Sequence, residues 1–246
     1  MEKEFSYIFK IAPSNVDFQG KLTLASLIEF LMEAAGRHAD GNGFGIRQLN
    51  EFNASWVVLQ LGMEINYYPA QYDEIKISTW IEKIQPIKTI RNFCIENTQG
   101  ELIASATSEW IMMDLTQRKP KDLLSLEGFQ KFATGKDSPA GKLEKLPLVK
   151  GELVDKITVK YGDIDLNGHV NSIRYIQWLC NCFDLSDYLE KQIERFDIHY
   201  ISELHENDNI KIFREEKEKN NFYFEIANDK KTACKARIKF SEKQLI

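Results

Sequence analysis

The sequence predicts an α+β fold built from two tandem repeats, in each of which a helix is followed by an antiparallel run of strands. Two alignments of the chain with itself predict this fold. Residues 16–31 match residues 164–179 without a gap, and residues 65–77 resemble residues 198–212, with two residues added in the second copy. Because the order and approximate spacing of the matching segments are kept, the chain carries an internal duplication.

Each copy contains one predicted helix. Apolar residues recur at helical spacing behind Thr23 in the first copy and behind Asn171 in the second, and both residue types cap helix N-termini. A helix is therefore expected at matching positions of the two copies. Its apolar residues are Leu27, Ile28, Leu31, Met32 and Ala35 in the first copy and Ile173, Ile176, Leu179, Cys180 and Phe183 in the second.

Segments rich in β-branched and aromatic residues follow each helix and are predicted strands. They are residues 55–67, 73–84, 88–97 and 101–114 in the first copy and residues 196–201, 208–216, 221–229 and 231–240 in the second. A long helix with an antiparallel sheet wrapped around it, twice in one chain, predicts a double hotdog. The expected boundaries are an N-terminal repeat over residues 1–133, a Gly-, Pro-, Lys- and Ser-rich linker over residues 134–151, and a C-terminal repeat over residues 152–246.

Composition and charge argue against several classes of protein. With 246 residues, of which 43% are hydrophobic, the chain can bury a sizeable core, and no window approaches the length of a membrane span. The start of the chain lacks a continuous apolar stretch, so we expect a cytoplasmic protein that contacts no membrane. A net charge of -5 argues against nucleic-acid binding. The few cysteines are expected to be reduced, structural thiols: Cys94, Cys180, Cys182 and Cys234.

Four polar side chains stand at every second position directly before the second helix: Asp163, Asp165, Asn167 and His169. One interpretation is a capped helix, since Asp and Asn side chains accept hydrogen bonds from free backbone N–H groups. A calcium loop is a second interpretation, but Arg174 stands where that loop needs a bidentate Glu. A metal site built from Asp165 and His169 has no supporting Cys or His cluster, so no metal is expected.

The repeat favours a catalytic interpretation of this motif. Gln19 and Lys21 stand in the first copy where Asn167 and His169 stand in the second, although the helix behind them is kept. Folding therefore does not demand Asn and His here, and their chemistry is expected once per chain. In an extended segment, Asp165, Asn167 and His169 would project to one side, toward a helix N-terminus that favours developing negative charge.

The second-copy motif resembles the signature of acyl-acyl carrier protein thioesterases. The matching residues are Asp165, Asn167, His169, Val170 and Asn171, with Tyr175 and Trp178 on the following helix. The resemblance runs nearly end to end, since residues 55–61, 67–80 and 104–120 look like that family's strands in matching order. In that family a Glu about thirty residues on completes the set, and Glu203 stands at this position here. Leu204 replaces the Cys that often follows, so a cysteine mechanism is not expected.

The resemblance implies hydrolysis of fatty acyl thioesters on acyl carrier protein, which releases a free fatty acid and ends chain elongation. Asn167 would hold water or donate to the thioester oxygen. Glu203 or Asp165 would act as general base or nucleophile, and His169 would orient the carboxylate or protonate the leaving thiolate. The resemblance implies no cofactor.

The implied partner is acyl carrier protein with its acyl-phosphopantetheine arm. The N-terminal repeat would supply the acyl-chain pocket without catalysis, and the C-terminal repeat would be catalytic. Arg118, Lys119 and Lys121 are candidates for docking the acidic carrier. A hotdog thioesterase acting on acyl-coenzyme A and a non-catalytic acyl-binding module are the alternatives, and a homodimer is compatible with the sequence. His199 and His205 are interpreted as ordinary residues of the segment around Glu203.

Overall fold

The structure, a computed structural model, describes residues 3–243. The chain divides into two compact units, Met1–Leu143 and Glu144–Ile246. Each unit is α+β, and its strands pair in antiparallel fashion. Among the described residues, no helix has both the length and the apolar composition that crossing a membrane requires.

The first unit contains five strands and two α-helices within the described part of the chain. They are β1 (Glu4–Lys10), α1 (Leu24–Gly41), α2 (Ile46–Glu51), β2 (Ala54–Ile65), β3 (Glu74–Ile84), β4 (Thr89–Asn97) and β5 (Leu102–Asp114). The strands lie in the order β1-β3-β4-β5-β2. Helix α1 packs against β1 and β3.

The sequence explains where α1 begins and which face it buries. Thr23 caps the helix, since its Oγ1 accepts a hydrogen bond from the N–H of Ser26 at 3.1 Å. Leu27, Leu31 and Ala34 are fully buried, at the spacing of one helical face. Burial of each leucine contributes roughly 2 kcal/mol, so this face, rather than helix propensity, anchors α1.

The core of the first unit encloses a polar pair. His38 and Arg91 are both buried, and Nη1 of Arg91 lies 2.8 Å from Nδ1 of His38. Since an arginine nitrogen only donates, Nδ1 accepts and the His38 proton lies on Nε2. Burial, and then the charge of Arg91, lower the pKa of His38 to about 3. The imidazole is therefore neutral at pH 7.

The second unit repeats this arrangement with a shorter helix. Its elements are β6 (Glu152–Thr158), α3 (Ser172–Cys180), α4 (Leu185–Glu190), β7 (Lys191–Tyr200), β8 (Asn209–Glu218), β9 (Asn221–Ala227) and β10 (Thr232–Glu242). The strands lie in the order β7-β10-β9-β8-β6. As in the first unit, the first strand along the chain lies at one end of this order.

The predicted strands are confirmed as β2 to β5 and β7 to β10. The sequence pattern does not predict β1 and β6; within β6, Asp155 and Lys156 interrupt the apolar residues. The expectation of a long second helix is wrong: α3 has 9 residues, whereas α1 has 18. Phe183, expected on that helix, lies beyond its end and packs against Phe222 and Phe240 at ring-centroid distances of 5.0 and 4.8 Å. There, the half-buried ring of Phe183 contacts two strand residues instead of continuing the helix.

The first part of the predicted linker, residues 134–143, lies on the first unit. The indole N–H of Trp80 donates to the carbonyl oxygen of Lys136 at 2.8 Å, and Ala140 is buried. The Oγ of Ser138 donates to the carbonyl oxygen of Ala106 at 3.3 Å. These contacts hold the segment against β3 and β5.

Candidate active site

Residues 164–170 form a tight turn before α3, so the expectation of an extended segment is wrong. Ile164 and Val170 form an antiparallel bridge. The N–H of Asp165 donates to the carbonyl oxygen of His169 at 2.8 Å, and the N–H of Gly168 donates to that of Asp165 at 3.1 Å. Gly168 has φ +78°, the left-handed region that glycine adopts without strain. The alternating polar side chains therefore do not form one row.

Two of the four polar side chains accept hydrogen bonds from backbone N–H groups at and just before this turn. Oδ1 of Asp165 accepts hydrogen bonds from the N–H groups of Asn167 and His169, at 2.8 and 3.4 Å. Oδ2 of Asp163 accepts from the N–H of Lys160 at 2.8 Å. These two carboxylates therefore satisfy backbone N–H groups that precede α3. The cap of α3 itself is Asn171, whose Oδ1 accepts from the N–H of Ile173 at 2.9 Å.

The turn is joined to the segment around Glu203 by a backbone hydrogen bond. The N–H of Val170 donates to the carbonyl oxygen of Leu204 at 2.9 Å. The side chain of Leu204 is fully buried. It anchors the segment in the core while the carbonyl group of Leu204 binds the turn, so the residues on either side of Leu204 face the turn region.

This connection brings His169 and Glu203 into contact. Nε2 of His169 lies 3.3 Å from Oε2 of Glu203, and the two side chains are 22% and 37% exposed. The ring of His205 lies beside that of His169, with centroids 5.1 Å apart and an interplanar angle of 62°. The carboxylate of Glu203 and the imidazoles of His169 and His205 therefore lie together where solvent reaches them in part. This arrangement suits proton transfer to and from a substrate.

Asn167 lies at the exposed tip of the turn. Its side chain makes no hydrogen bond with the part of the chain that the structure describes. The amide N–H groups are consequently available to an oxygen of a bound molecule.

Two tyrosines pack at α3, the helix that follows the turn. Tyr175 on α3 is buried, and its ring lies 5.5 Å from that of Tyr200, whose hydroxyl donates to the carbonyl oxygen of Ser172 at 3.0 Å. Burial raises the pKa of Tyr175 far above its usual range, against the lowering effect of a backbone hydrogen bond with Leu204. Both phenols stay protonated at neutral pH and hold α3 in position.

The first unit contains the same turn with the same hydrogen bonds. The N–H of Asp17 donates to the carbonyl oxygen of Lys21 at 2.8 Å, and the N–H of Gly20 donates to that of Asp17 at 3.0 Å. Oδ1 of Asp17 accepts from the N–H groups of Gln19 and Lys21, at 2.8 and 3.0 Å. The backbone of the motif is thus a property of both repeats.

The neighbouring segment of the first unit matches as well. The N–H of Leu22 donates to the carbonyl oxygen of Pro69 at 2.9 Å, as that of Val170 does to Leu204. Through this match, Tyr68 stands where the second unit has Glu203, and Ala70 stands where it has His205. Only the second unit carries the carboxylate and the two imidazoles.

His205 is the residue of this cluster that sequence reasoning missed. A histidine two positions after Glu203, with Ala70 at the matching place of the first copy, is the signal that could have revealed it. The signal was weak because the pairing of the segment 203–205 with the turn depends on the fold.

The cysteine thiols lie in environments that disfavour the thiolate. Burial raises the pKa of Cys180 to about 12 and that of Cys182 to about 11, and it also raises the pKa of Cys94 and Cys234. All four are free thiols. Among residues 3–243, no group of three or more His, Cys, Asp or Glu side chains could hold a metal ion.

Comparisons with known proteins identify the family. The model of the acyl-ACP thioesterase N-terminal domain matches residues 2–125, and that of the C-terminal domain matches residues 148–242. A crystal structure of an acyl-ACP thioesterase from Bacteroides thetaiotaomicron is 35% identical, with a TM-score of 0.91 over 97% of this chain and 98% of that one. The 12:0-ACP thioesterase from Umbellularia californica has the same fold, with a TM-score of 0.87 over 99% of both chains and 20% identity.

A curated relative from Gossypium hirsutum, a chloroplastic palmitoyl-acyl carrier protein thioesterase, is 28% identical over 210 residues. The match covers 80% of this chain but 51% of the relative, so the chain spans about half the length of that protein. Because the two family models together match most of the sequence, the chain belongs to the acyl-ACP thioesterase family.

Proposed function

We propose that the protein hydrolyses fatty acyl thioesters of acyl carrier protein and so ends chain elongation in fatty acid biosynthesis. The observation that carries this proposal is the contact between His169 and Glu203, 3.3 Å apart, in the second unit alone. The matching positions of the first unit hold Lys21 and Tyr68, which cannot form a carboxylate–imidazole pair. Membership of the family supplies the substrate class.

Glu203 is the proposed base or nucleophile. Its carboxylate is in contact with His169, which orients it, whereas Oδ1 of Asp165 already accepts two backbone N–H groups of its own turn. Asp165 is therefore proposed as a positioning residue of the catalytic set: it holds the backbone that carries Asn167 and His169. This choice separates two carboxylates that the sequence alone leaves equivalent.

Asn167 is the proposed oxyanion donor. When water or the Glu203 carboxylate attacks the thioester carbon, the carbonyl oxygen gains negative charge, and an amide N–H of Asn167 would donate to it. One such donor contributes on the order of 3 kcal/mol to the transition state. The exposed position of Asn167 at the tip of the turn leaves it accessible to a substrate carbonyl.

We also propose the double-hotdog arrangement, with a non-catalytic acyl-binding repeat over residues 1–133, a linker over 134–151 and a catalytic repeat over 152–246. In the first unit, aromatic and aliphatic side chains pack into one apolar cluster, which would provide the surroundings of an acyl chain. It includes Phe44, Leu49, Met112, Leu123, Phe129 and Phe132. Cytoplasmic location and homodimer formation stay predictions from the sequence.

The proposed partner is the acidic acyl carrier protein with its acyl-phosphopantetheine arm. Arg118 and Lys119 are exposed and are proposed to meet it. Lys121 is less suited, because its Nζ donates to the carbonyl oxygen of Phe52 at 2.6 Å and lies 3.3 Å from Oδ2 of Asp114. Its charge is engaged within the first unit.

Hydrolysis of one acyl chain on two carriers tests the proposal. Acyl carrier protein and coenzyme A thioesters would be compared, with detection of the released thiol. A clear preference for the carrier protein is expected. Preference for coenzyme A would identify an acyl-coenzyme A thioesterase instead, and a folded protein that turns over neither substrate but binds the acyl carrier would be a binding module.

A further inference from the structure

The side chain of His205 lies at the solvent side of the proposed site. The residue is exposed, whereas His169 and Glu203 are half-buried. Its ring meets that of His169 at a centroid distance of 5.1 Å and an angle of 62°. A third proton-carrying group therefore stands next to the carboxylate–imidazole pair, on its outer side.

Folding does not require an imidazole at this position. The N–H of His205 donates to Oδ2 of Asp208 at 2.9 Å, and the N–H of Ala70 donates to Oδ2 of Asp73 at 2.8 Å in the first unit. The N–H of Asp208 returns a hydrogen bond to the carbonyl oxygen of His205 at 3.1 Å, as that of Asp73 does to Ala70 at 3.2 Å. The same loop thus forms around a methyl side chain.

We propose that His205 is a further catalytic residue, which protonates the thiolate that leaves when the thioester is cleaved. The inference rests on the proposed function and adds a role for a residue outside the set of Asp165, Asn167, His169 and Glu203. Because the carrier is large and its thiol arm must enter from solvent, the departing sulfur would lie on the outer side of the site. There, the exposed imidazole is placed to reach it.

This step needs no reactant other than the thioester and water. Water adds its oxygen to the thioester carbon and gives one proton to Glu203. The C–S bond breaks, sulfur keeps the electron pair, and protonated His205 gives sulfur its proton. The proton on Glu203 then passes through His169 to His205, which restores the starting state. The products are the fatty acid and the free thiol.

The dependence on the leaving group tests this role. His205→Ala and His205→Asn would be compared with the native protein in single-turnover hydrolysis of two substrates. One is the acyl thioester of acyl carrier protein, which is an alkyl thioester, and the other is an S-acyl thiophenol, which is an aryl thioester. An aryl thiolate leaves readily without a proton. We expect a loss of about a hundredfold with the alkyl thioester, the usual scale for a proton-transfer group, and a several-fold loss or less with the aryl thioester.

Added imidazole and a neighbouring variant complete the experiment. Because His205 is exposed, free imidazole should restore part of the alkyl thioester activity of His205→Ala. Glu206→Ala, which removes the next exposed side chain of the same loop, should leave both activities nearly unchanged. If one His205 variant fails to unfold cooperatively, the other carries the comparison.

Equal losses with both thioesters, or unchanged activity, would overturn the role of His205. Failure of the proposed function would look different, since the native protein itself would then either prefer the coenzyme A thioester or hydrolyse no thioester. The two inferences can therefore fail separately.

Discussion

Asp17 and Asp165 occupy the same position in two turns whose hydrogen bonds match, although 148 residues separate them (165 minus 17). Oδ1 of each accepts two backbone N–H groups from its own turn. The carboxylate is therefore explained by the fold in both units, and its presence in the second does not by itself mark it as the reacting group. This relationship offers internal controls for the chemistry.

The two aspartates should contribute similarly to stability. Asp17→Ala and Asp165→Ala should each lower the free energy of unfolding by about 1 kcal/mol, the usual contribution of a side chain that caps backbone N–H groups. Urea titration measures both. Asp165→Asn keeps an acceptor oxygen and should retain most of the turnover. If it folds normally but has lost hydrolysis, Asp165 rather than Glu203 is the base.

Asn167 and His169 should matter for the chemical step, while the matching residues of the first unit should not. His169→Ala and Asn167→Ala should each lower single-turnover hydrolysis by about a hundredfold or more. Lys21→Ala and Gln19→Ala should leave it nearly unchanged. Single-turnover conditions separate chemistry from carrier binding. Equal losses in the two units would contradict the assignment of one site per chain.

Glu203 should require its charge. Glu203→Gln keeps the shape of the side chain but cannot accept a proton from water, so it should lose most of the turnover, whereas Glu203→Asp should retain a part. The measurement is thiol release, with thermal unfolding to check the fold. Near-native turnover of the Gln variant would make Glu203 an ordinary polar residue.

The cysteines should be dispensable for hydrolysis. Burial raises the pKa of each thiol above its usual range, so little thiolate is present at neutral pH. A chain in which Cys94, Cys180, Cys182 and Cys234 are replaced by Ala or Ser should therefore hydrolyse the thioester within a few-fold of the native rate. A folded but inactive chain would refute the carboxylate mechanism.

His38 should make the first unit sensitive to acid. Its pKa is lowered to about 3 in the folded state, so the unfolded chain takes up the proton first as the pH falls below about 6.5. The stability that the neutral His38 imidazole contributes is therefore fully present above about pH 6.5. It is lost as the pH falls toward 3, by up to ~1.4 kcal/mol for each pH unit.

The control is His38→Gln, which can still accept from Arg91 but does not titrate. Between pH 7 and pH 5 the native chain should lose about 2 kcal/mol more stability than this variant. Three of the four tryptophans, Trp56, Trp80 and Trp110, lie in the first unit, and Trp178 lies in the second. Tryptophan fluorescence of a Trp178→Phe background therefore follows the first unit during urea unfolding. Parallel pH curves for the two proteins would contradict the expectation.

The sequence alone reveals the duplication, the starts of α1 and α3, and eight of the ten strands that residues 3–243 form. These features depend on local signals: Thr23 and Asn171 cap their helices through neighbouring N–H groups, and the strands carry β-branched and aromatic residues. The strands β1 and β6 are not predicted from their own residues, and each is placed by pairing with a distant strand: β3 for β1 and β8 for β6. The length of α3 escapes prediction because Phe183 packs against distant rings.

For the candidate site, the residue types that the second copy carries and the first copy lacks can be read directly from the sequence. What each of them can do depends on the contacts made in the folded unit. Asp165 is engaged by its own turn, and the hydrogen bond between Val170 and Leu204 brings Glu203 and His205 to His169 across 34 positions of the chain (203 minus 169). No local pattern encodes that contact, because it is made by two segments that meet only when the unit has folded.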